Sequence, residues 1–448
     1  ATPATTTDAT PATTTDATPA TTTDATPATT TDATLVSLSG LKVASSADPN
    51  ATIDSLGSLD PTKATMELQF TSTGAGITSI VFSDIWQTAS AHRQADQYME
   101  EVAEGQTPTI SLPESRRYVL QRSQTFTWNN KNSIESIEVP ILGSSAVEIN
   151  GQRVSVFSSE IHWEQTSPGV FRLEIVNDKN EPVLEITRTF LLGDQFDITL
   201  QQSLKNLTQQ ELDVSWIQYG PTDLDRDRAR YMDRRRIRYG YELALEHDPN
   251  RLGRVVGNEI LEEYSTIVGD YKDHITDTPN QGFSLWPKKE AIAEGYTLSW
   301  FASTNRYFAL AVHPLLSPEG KGDRSLRPAV TAINAQVQTH LSSKGVPEEV
   351  VFTALISETV KVAGDQTVEL HFGVYAGPLD RYILSGEEPY AALNMSSMIL
   401  YVMSSMCACC TAIYVAEVVD SCAEVVSVAT VASTTALWFA VGIAANAV

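Results

Sequence analysis

After Arg381 the chain has no lysine or arginine, and before Cys407 it has no cysteine. Without thiols, the long part upstream of Cys407 can build neither disulfides nor a cysteine metal site, which suits an oxidising compartment such as a periplasm. No starting Met and no basic segment leading into a short apolar run are present, so no export signal is visible in this sequence. Positive charge is scarce overall: 31 Lys and Arg stand against 55 Asp and Glu, a formal net charge of −24. Such a balance repels phosphate backbones and excludes nucleic acid as a partner. It attracts anionic lipid only where basic residues cluster.

Long apolar runs are also missing, up to the tail. There, two stretches appear, Met395 to Ala416 and Val425 to Val448, divided by Glu417, Asp420 and Glu424. Each is close to the ~20 residues that cross a hydrocarbon core. All four cysteines, Cys407, Cys409, Cys410 and Cys422, fall in this tail. Their CxCC spacing is not that of a usual thiolate metal site, and small apolar packing is the simpler reading. No metal and no cofactor is expected.

Residues 1–34 form a low-complexity linker, built on four copies of ATPATTTD that end at Asp32. It has nothing apolar to bury beyond alanine methyls, and its prolines favour extended geometry. From residue 35 to 393 the pattern changes to period-two alternation. Met66, Leu68 and Phe70 alternate with Glu67 and Gln69, and Phe196, Ile198 and Leu200 with Asp197, Thr199 and Gln201. Leu212, Val214 and Trp216 repeat it, as do Val368, Leu370, Phe372 and Val374. This is the mark of half-buried strands, and Gly193-Asp194 reads as a hairpin turn between two of them. Helical periodicity is confined to Ala89–Val102 and Gly257–Val268. The pattern predicts a mainly β, antiparallel sandwich of two sheets. Residues 394–424 are expected as an interfacial or membrane helix, and 425–448 as a transmembrane helix.

Three segments together resemble the large periplasmic domain of YidC-type membrane protein insertases. They are Ile186-Thr187-Arg188-Thr189-Phe190 through Leu204-Lys205-Asn206; Trp300-Phe301-Ala302 with Asn305-Arg306-Tyr307-Phe308-Ala309; and Phe372-Gly373-Val374-Tyr375-Ala376-Gly377-Pro378. Gly74-Ala75-Gly76-Ile77 is a weaker fourth. The resemblance implies a β-supersandwich of the galactose-mutarotase-like kind, followed by C-terminal apolar helices. It also implies an inner-membrane location with the large domain in the periplasm. The family's five-helix core is expected to be largely absent, since the tail has no counterpart of the arginine in the family's membrane groove.

On that resemblance the chain is expected to be a non-enzymatic insertase component, its domain a scaffold or docking surface. The implied partners are nascent membrane proteins, the Sec translocon with its accessory subunits, and membrane lipids. Trp300, Tyr307, Phe308, Gly377 and Pro378 are expected to serve structure. A second reading is a carbohydrate-binding or mutarotase-like sandwich, with Glu369 and His371 sharing one strand face and His313, Glu160 and His162 as further acid–base candidates. A third is a plain membrane-tethered domain without activity. Arg226, Arg228, Arg230, Arg234, Arg235, Arg236 and Arg238, interleaved with Asp223, Asp225, Asp227 and Asp233, are candidates to contact a partner or headgroups. Their ordinary reading is a solvated, self-paired loop.

Overall fold

The computed structural model describes residues 36–44, 47–130, 133–224, 235–243, 255–277, 282–287, 291–292, 295–341 and 347–399. The repeat linker, the four cysteines, Arg226, Arg228, Arg230, Arg234 and the tail from residue 400 lie outside them. The described part is dominated by antiparallel sheet. Ten strands form the largest sheet: β1 (Lys42–Val43), β2 (Glu164–Ser167), β3 (Val170–Val176), β4 (Pro182–Leu192), β5 (Asp197–Asn206), β6 (Arg236–Leu243), β7 (Val255–Glu263), β8 (Tyr296–Thr304), β9 (Phe308–His313) and β10 (Thr367–Pro378). They run in the order β1-β3-β4-β5-β10-β9-β8-β6-β7, with β2 pairing to β3.

A second, seven-stranded sheet contains Leu212–Tyr219, Pro347–Ile356 and Ser144–Ile149 near its middle, and a four-stranded sheet contains Met66–Thr71 and Gly76–Trp86. One apolar core joins them: Leu200 and Phe372 from the large sheet, Val214, Trp216 and Leu355 from the second, Met66, Leu68 and Phe82 from the third. Alternation explains the packing. Along β10, Leu370 and Phe372 are buried while Glu369 and His371 are exposed. The β4–β5 hairpin turns at Gly193, whose amide donates to Asp197 O at 2.8 Å.

Helix α1 (Ala89–Ala103) starts where Thr88 Oγ1 accepts from Ala91 N at 3.1 Å, and its buried Ala91 and Ala95 lie one turn apart. The helix expected at Gly257–Val268 is instead half strand. Val255–Glu263 completes the sheet edge against β6, and α2 (Tyr264–Asp277) begins only afterwards. The ladder available beside β6 outweighs a weak helical period.

The expected C-terminal apolar helices are corrected only where the first was to begin, at residues 394–399; the rest of 394–424 and all of 425–448 lie outside the described residues. Among the described residues, β10 gives way to the short α3 (Arg381–Gly386) and then to a single 3-10 turn at Met395–Met398. No described helix is long and apolar enough to cross a membrane, so the inner-membrane placement loses its support. The physical reason lies in what residues 379–399 touch. They fold back as a strap over the face of the large sheet turned away from the main core. Leu384, Tyr390, Leu393, Met395 and Met398 pack there on Trp300, Ala302, Ala309, Ala311 and Tyr375. Met395 and Met398 are 0% and 1% exposed, so their apolar surface is spent on protein, at about 1.5–3 kcal/mol each. Two polar clasps hold the strap. Trp300 Nε1 donates to Leu393 O at 2.9 Å, and Arg238 Nη1 to Ser397 O at 2.8 Å.

Candidate functional site

The strap covers only part of the outer face, and its margin holds a cluster of buried acid–base groups. Three neighbouring strands, β5, β10 and β9, place it. Asp197 opens β5 opposite Tyr375, and His313 closes β9 opposite Gly373. Carboxylate and imidazole therefore flank β10, and the glycine lets the ring lie over that strand. A Cβ on Gly373 would stand 2.3 Å from His313 Cε1. From the strap, the Tyr390 hydroxyl donates to Asp197 Oδ1, and the Tyr390 ring meets His313 and Tyr375 edge-on, at 5.8 and 4.9 Å between centroids.

His313 Nδ1 lies 2.9 Å from Pro314 O. A carbonyl can only accept, so that nitrogen carries the proton and Nε2 presents a lone pair. Nε2 is buried, has no hydrogen-bond partner among the described residues, and lies 4.0 Å from Asp197 Oδ1. That spacing would count as an ion pair only for a charged imidazole. Burial outweighs the opposing pull of Pro314 O and Asp197 and holds His313 below the usual histidine pKa, so the ring is neutral at pH 7. Burial, helped by the Asp197 charge, pushes the Tyr390 phenol far up and keeps it protonated. Asp197 keeps 37% of its side chain exposed, so the cluster opens to solvent on the carboxylate side.

From that opening a polar strip runs along the sheet. Thr199 pairs with Gly373, Gln201 with His371 and Ser203 with Glu369, all on the outer face. Glu369 and His371, singled out from the sequence, thus sit on the same face as His313. Glu160 and His162 do not join them. Glu160 is exposed elsewhere, and His162 Nδ1 lies 3.0 Å from Ser72 Oγ. His162 lines a separate open cleft of 470 Å³ with Asp48, Glu164, Arg172 and Glu174. Its arginine is already engaged, with Nε donating to Glu185 Oε2 at 2.8 Å.

The described arginines of the basic run are largely buried and not free on the surface. Arg235 pairs with Asp223 at 3.5 Å with 11% of its side chain exposed, and Arg236 and Arg238 are buried. Burial pulls the Arg238 guanidinium down to about 10. Of the residues expected to serve structure, Trp300 and Phe308 are buried, and Gly377 admits no Cβ beside Phe196, while Tyr307 is 54% exposed. Sequence reading missed Asp197 and Tyr390. Asp197 looks like any outward residue of an alternating strand, and only the fold brings Tyr390 to it across 193 positions.

A family profile described as the YidC periplasmic domain matches residues 158–403. No curated protein matches the sequence. Among solved structures, a galactose mutarotase related enzyme from Lactobacillus acidophilus is 9% identical, with 70% of this chain and 94% of that one covered and a TM-score of 0.36. A galactose mutarotase-like protein from Lactobacillus casei is 8% identical, with 72% and 100% covered and a TM-score of 0.33. A putative aldose 1-epimerase from Escherichia coli K12 is 11% identical, with 70% and 96% covered and a TM-score of 0.26.

These neighbours are of mutarotase and epimerase type, and the described residues contain no spanning helix. The expectation of a non-enzymatic, membrane-embedded insertase component is withdrawn on these findings, and neither an enzyme nor a location is assigned in its place. At such identities and TM-scores the likeness carries no argument for any particular activity, which has to come from the site. In sequence, the matched residues span more than half of the chain and contain all three of the main segments quoted for the resemblance. The chain belongs to the YidC periplasmic domain family.

Proposed function

We propose that the outer face of the large sheet recognises carbohydrate, with Asp197 and His313 at its centre. The observation that carries this reading is the hydroxyl already held there. The Tyr390 phenol donates to Asp197, beside a neutral imidazole whose Nε2 has no partner among the described residues. A carboxylate and an imidazole lone pair 4.0 Å apart are two acceptors for neighbouring hydroxyls, the arrangement a sugar diol offers. Beyond them, Thr199, Gln201, Ser203, Glu369 and His371 supply further donors and acceptors along the strip. A neutral histidine is also a competent proton acceptor toward an anomeric hydroxyl.

In this conformation the Tyr390 hydroxyl fills the place of a ligand hydroxyl and competes with it. The test is a titration of the full chain with galactose and with glucose, followed by NMR shifts, together with polarimetry of freshly dissolved α-anomers. Tyr390→Phe keeps the packed ring and removes the competing hydroxyl, so it should bind sugar more tightly than the native chain. Asp197→Asn should lose binding, and any acceleration of mutarotation should vanish with it. Absence of binding at millimolar sugar in both the native chain and Tyr390→Phe would overturn the proposal.

A further inference from the structure

Inside the sandwich, on the opposite face of the same sheet, Arg188 is completely buried. Nη1 donates to Gly74 O at 3.1 Å, Ala75 O at 3.0 Å and Ser144 Oγ at 2.6 Å, and Nη2 to Leu142 O at 2.5 Å and Gln218 Oε1 at 3.1 Å. Every one of these acceptors is neutral. Among the described residues no carboxylate stands near enough to offset the charge, and burial alone pulls the guanidinium down to about 9. An unpaired cation in a dry interior is costly, and dipoles solvate it without neutralising it.

Around this cation, several buried polar atoms have no partner among the described residues: Arg188 Nε, Gln202 Nε2 and Oε1, Gln218 Nε2 and Trp216 Nε1. They belong to one neighbourhood. Gln202 stands opposite Arg188 in the β4–β5 register, Gln218 touches Nη2, and the Trp216 ring lies 5.9 Å from Arg188 Cζ. Trp216 and Gln218 are two apart on one strand and so share a face. Four of the five orphaned atoms are nitrogens that donate. Water gives as many hydrogen bonds as it takes and would leave the charge uncompensated. A monatomic anion seated among them would accept from these donors and would neutralise the guanidinium.

We propose that the sandwich interior holds a single chloride-sized anion, bound by Arg188 Nε, Gln202, Gln218 and Trp216. It acts as the missing counter-ion of Arg188 and locks the large sheet to the second one.

The test compares thermal unfolding of the full chain in sodium chloride and in sodium gluconate at equal ionic strength. Chloride should raise the melting temperature by roughly 2 °C for each tenfold increase above its dissociation constant, and gluconate should not. Gln202→Leu removes one amide donor, retains Arg188 and should lose most of that chloride dependence. In crystals grown with bromide, an anomalous peak should lie beside Arg188 Nε. Equal melting in the two salts, an unchanged slope in Gln202→Leu, or an ordinary water without anomalous signal at that place would each overturn the proposal.

Discussion

Replacing Gly240 with alanine should dislodge the strap without touching it. Gly240 lies on β6 under the Trp300 indole, and a Cβ there would stand 1.9 Å from Nε1 and 2.1 Å from Cε2. To regain ordinary contact the indole must move by roughly 1.5 Å or more. It has nowhere to go, being fully buried between the sheet and Leu393. Overpacking of this kind costs about 1–3 kcal/mol, and a buried indole N–H torn from Leu393 O costs about as much again. Together they remove about 4 kcal/mol from a stability that in most domains is about 5–15 kcal/mol. The melting temperature followed by circular dichroism should fall by roughly 5 °C. Limited chymotrypsin digestion should cut near Tyr390 well before it cuts the native chain. If Gly240→Ala melts with the native protein and its strap resists the protease equally, Trp300 is not the clasp described.

The same contacts lead to further outcomes. His313 is held below its unfolded value of 6.5, so its contribution is fully present above that pH and is lost as pH falls toward the folded value. Stability measured by denaturant titration should drop below pH 6.5 in the native chain, and the drop should be smaller in His313→Asn. Asn206 is buried and donates to Gln210 O, Val362 O and Ala363 O while accepting from Thr208 N and Oγ1. Asn206→Ala should cost about 2–4 kcal/mol in urea unfolding. Arg188→Met should cost at least about 3 kcal/mol, because it strands a set of inward carbonyls that the guanidinium satisfies. A loss under about 1 kcal/mol would show that those carbonyls find other donors.

Much of the scaffold was legible because strands advertise themselves by alternation. Met66, Leu68 and Phe70 fall on the buried side of their strand, and Glu369 and His371 on the open side of theirs, as their spacing requires. Helical periodicity at Ala89–Val102 located α1, and the structure adds the Thr88 cap that starts it. Alternation failed where chemistry and period disagree. In Ile186-Thr187-Arg188-Thr189-Phe190 the rule sends the arginine into the core, and its acceptors come from residues as distant as Gly74, more than a hundred positions away. Asp197, His313 and Tyr390 likewise meet only through the strand order β5-β10-β9 and the returning strap. The apolar Met395 and Met398 looked ready for lipid because sequence records greasiness but not what it touches. The sheet's alanine-lined surface reached them first.

The two clasps also determine how the domain would answer a mechanical load. Tension applied at Ile399 meets the Met398 side chain first, then the Arg238–Ser397 bond, then Met395, then Trp300–Leu393. These contacts yield one after another, like a strip peeled from its backing, while the strands beneath keep their ladders. A modest tug would therefore unlatch Tyr390 from Asp197 and uncover His313 long before the sandwich itself came apart.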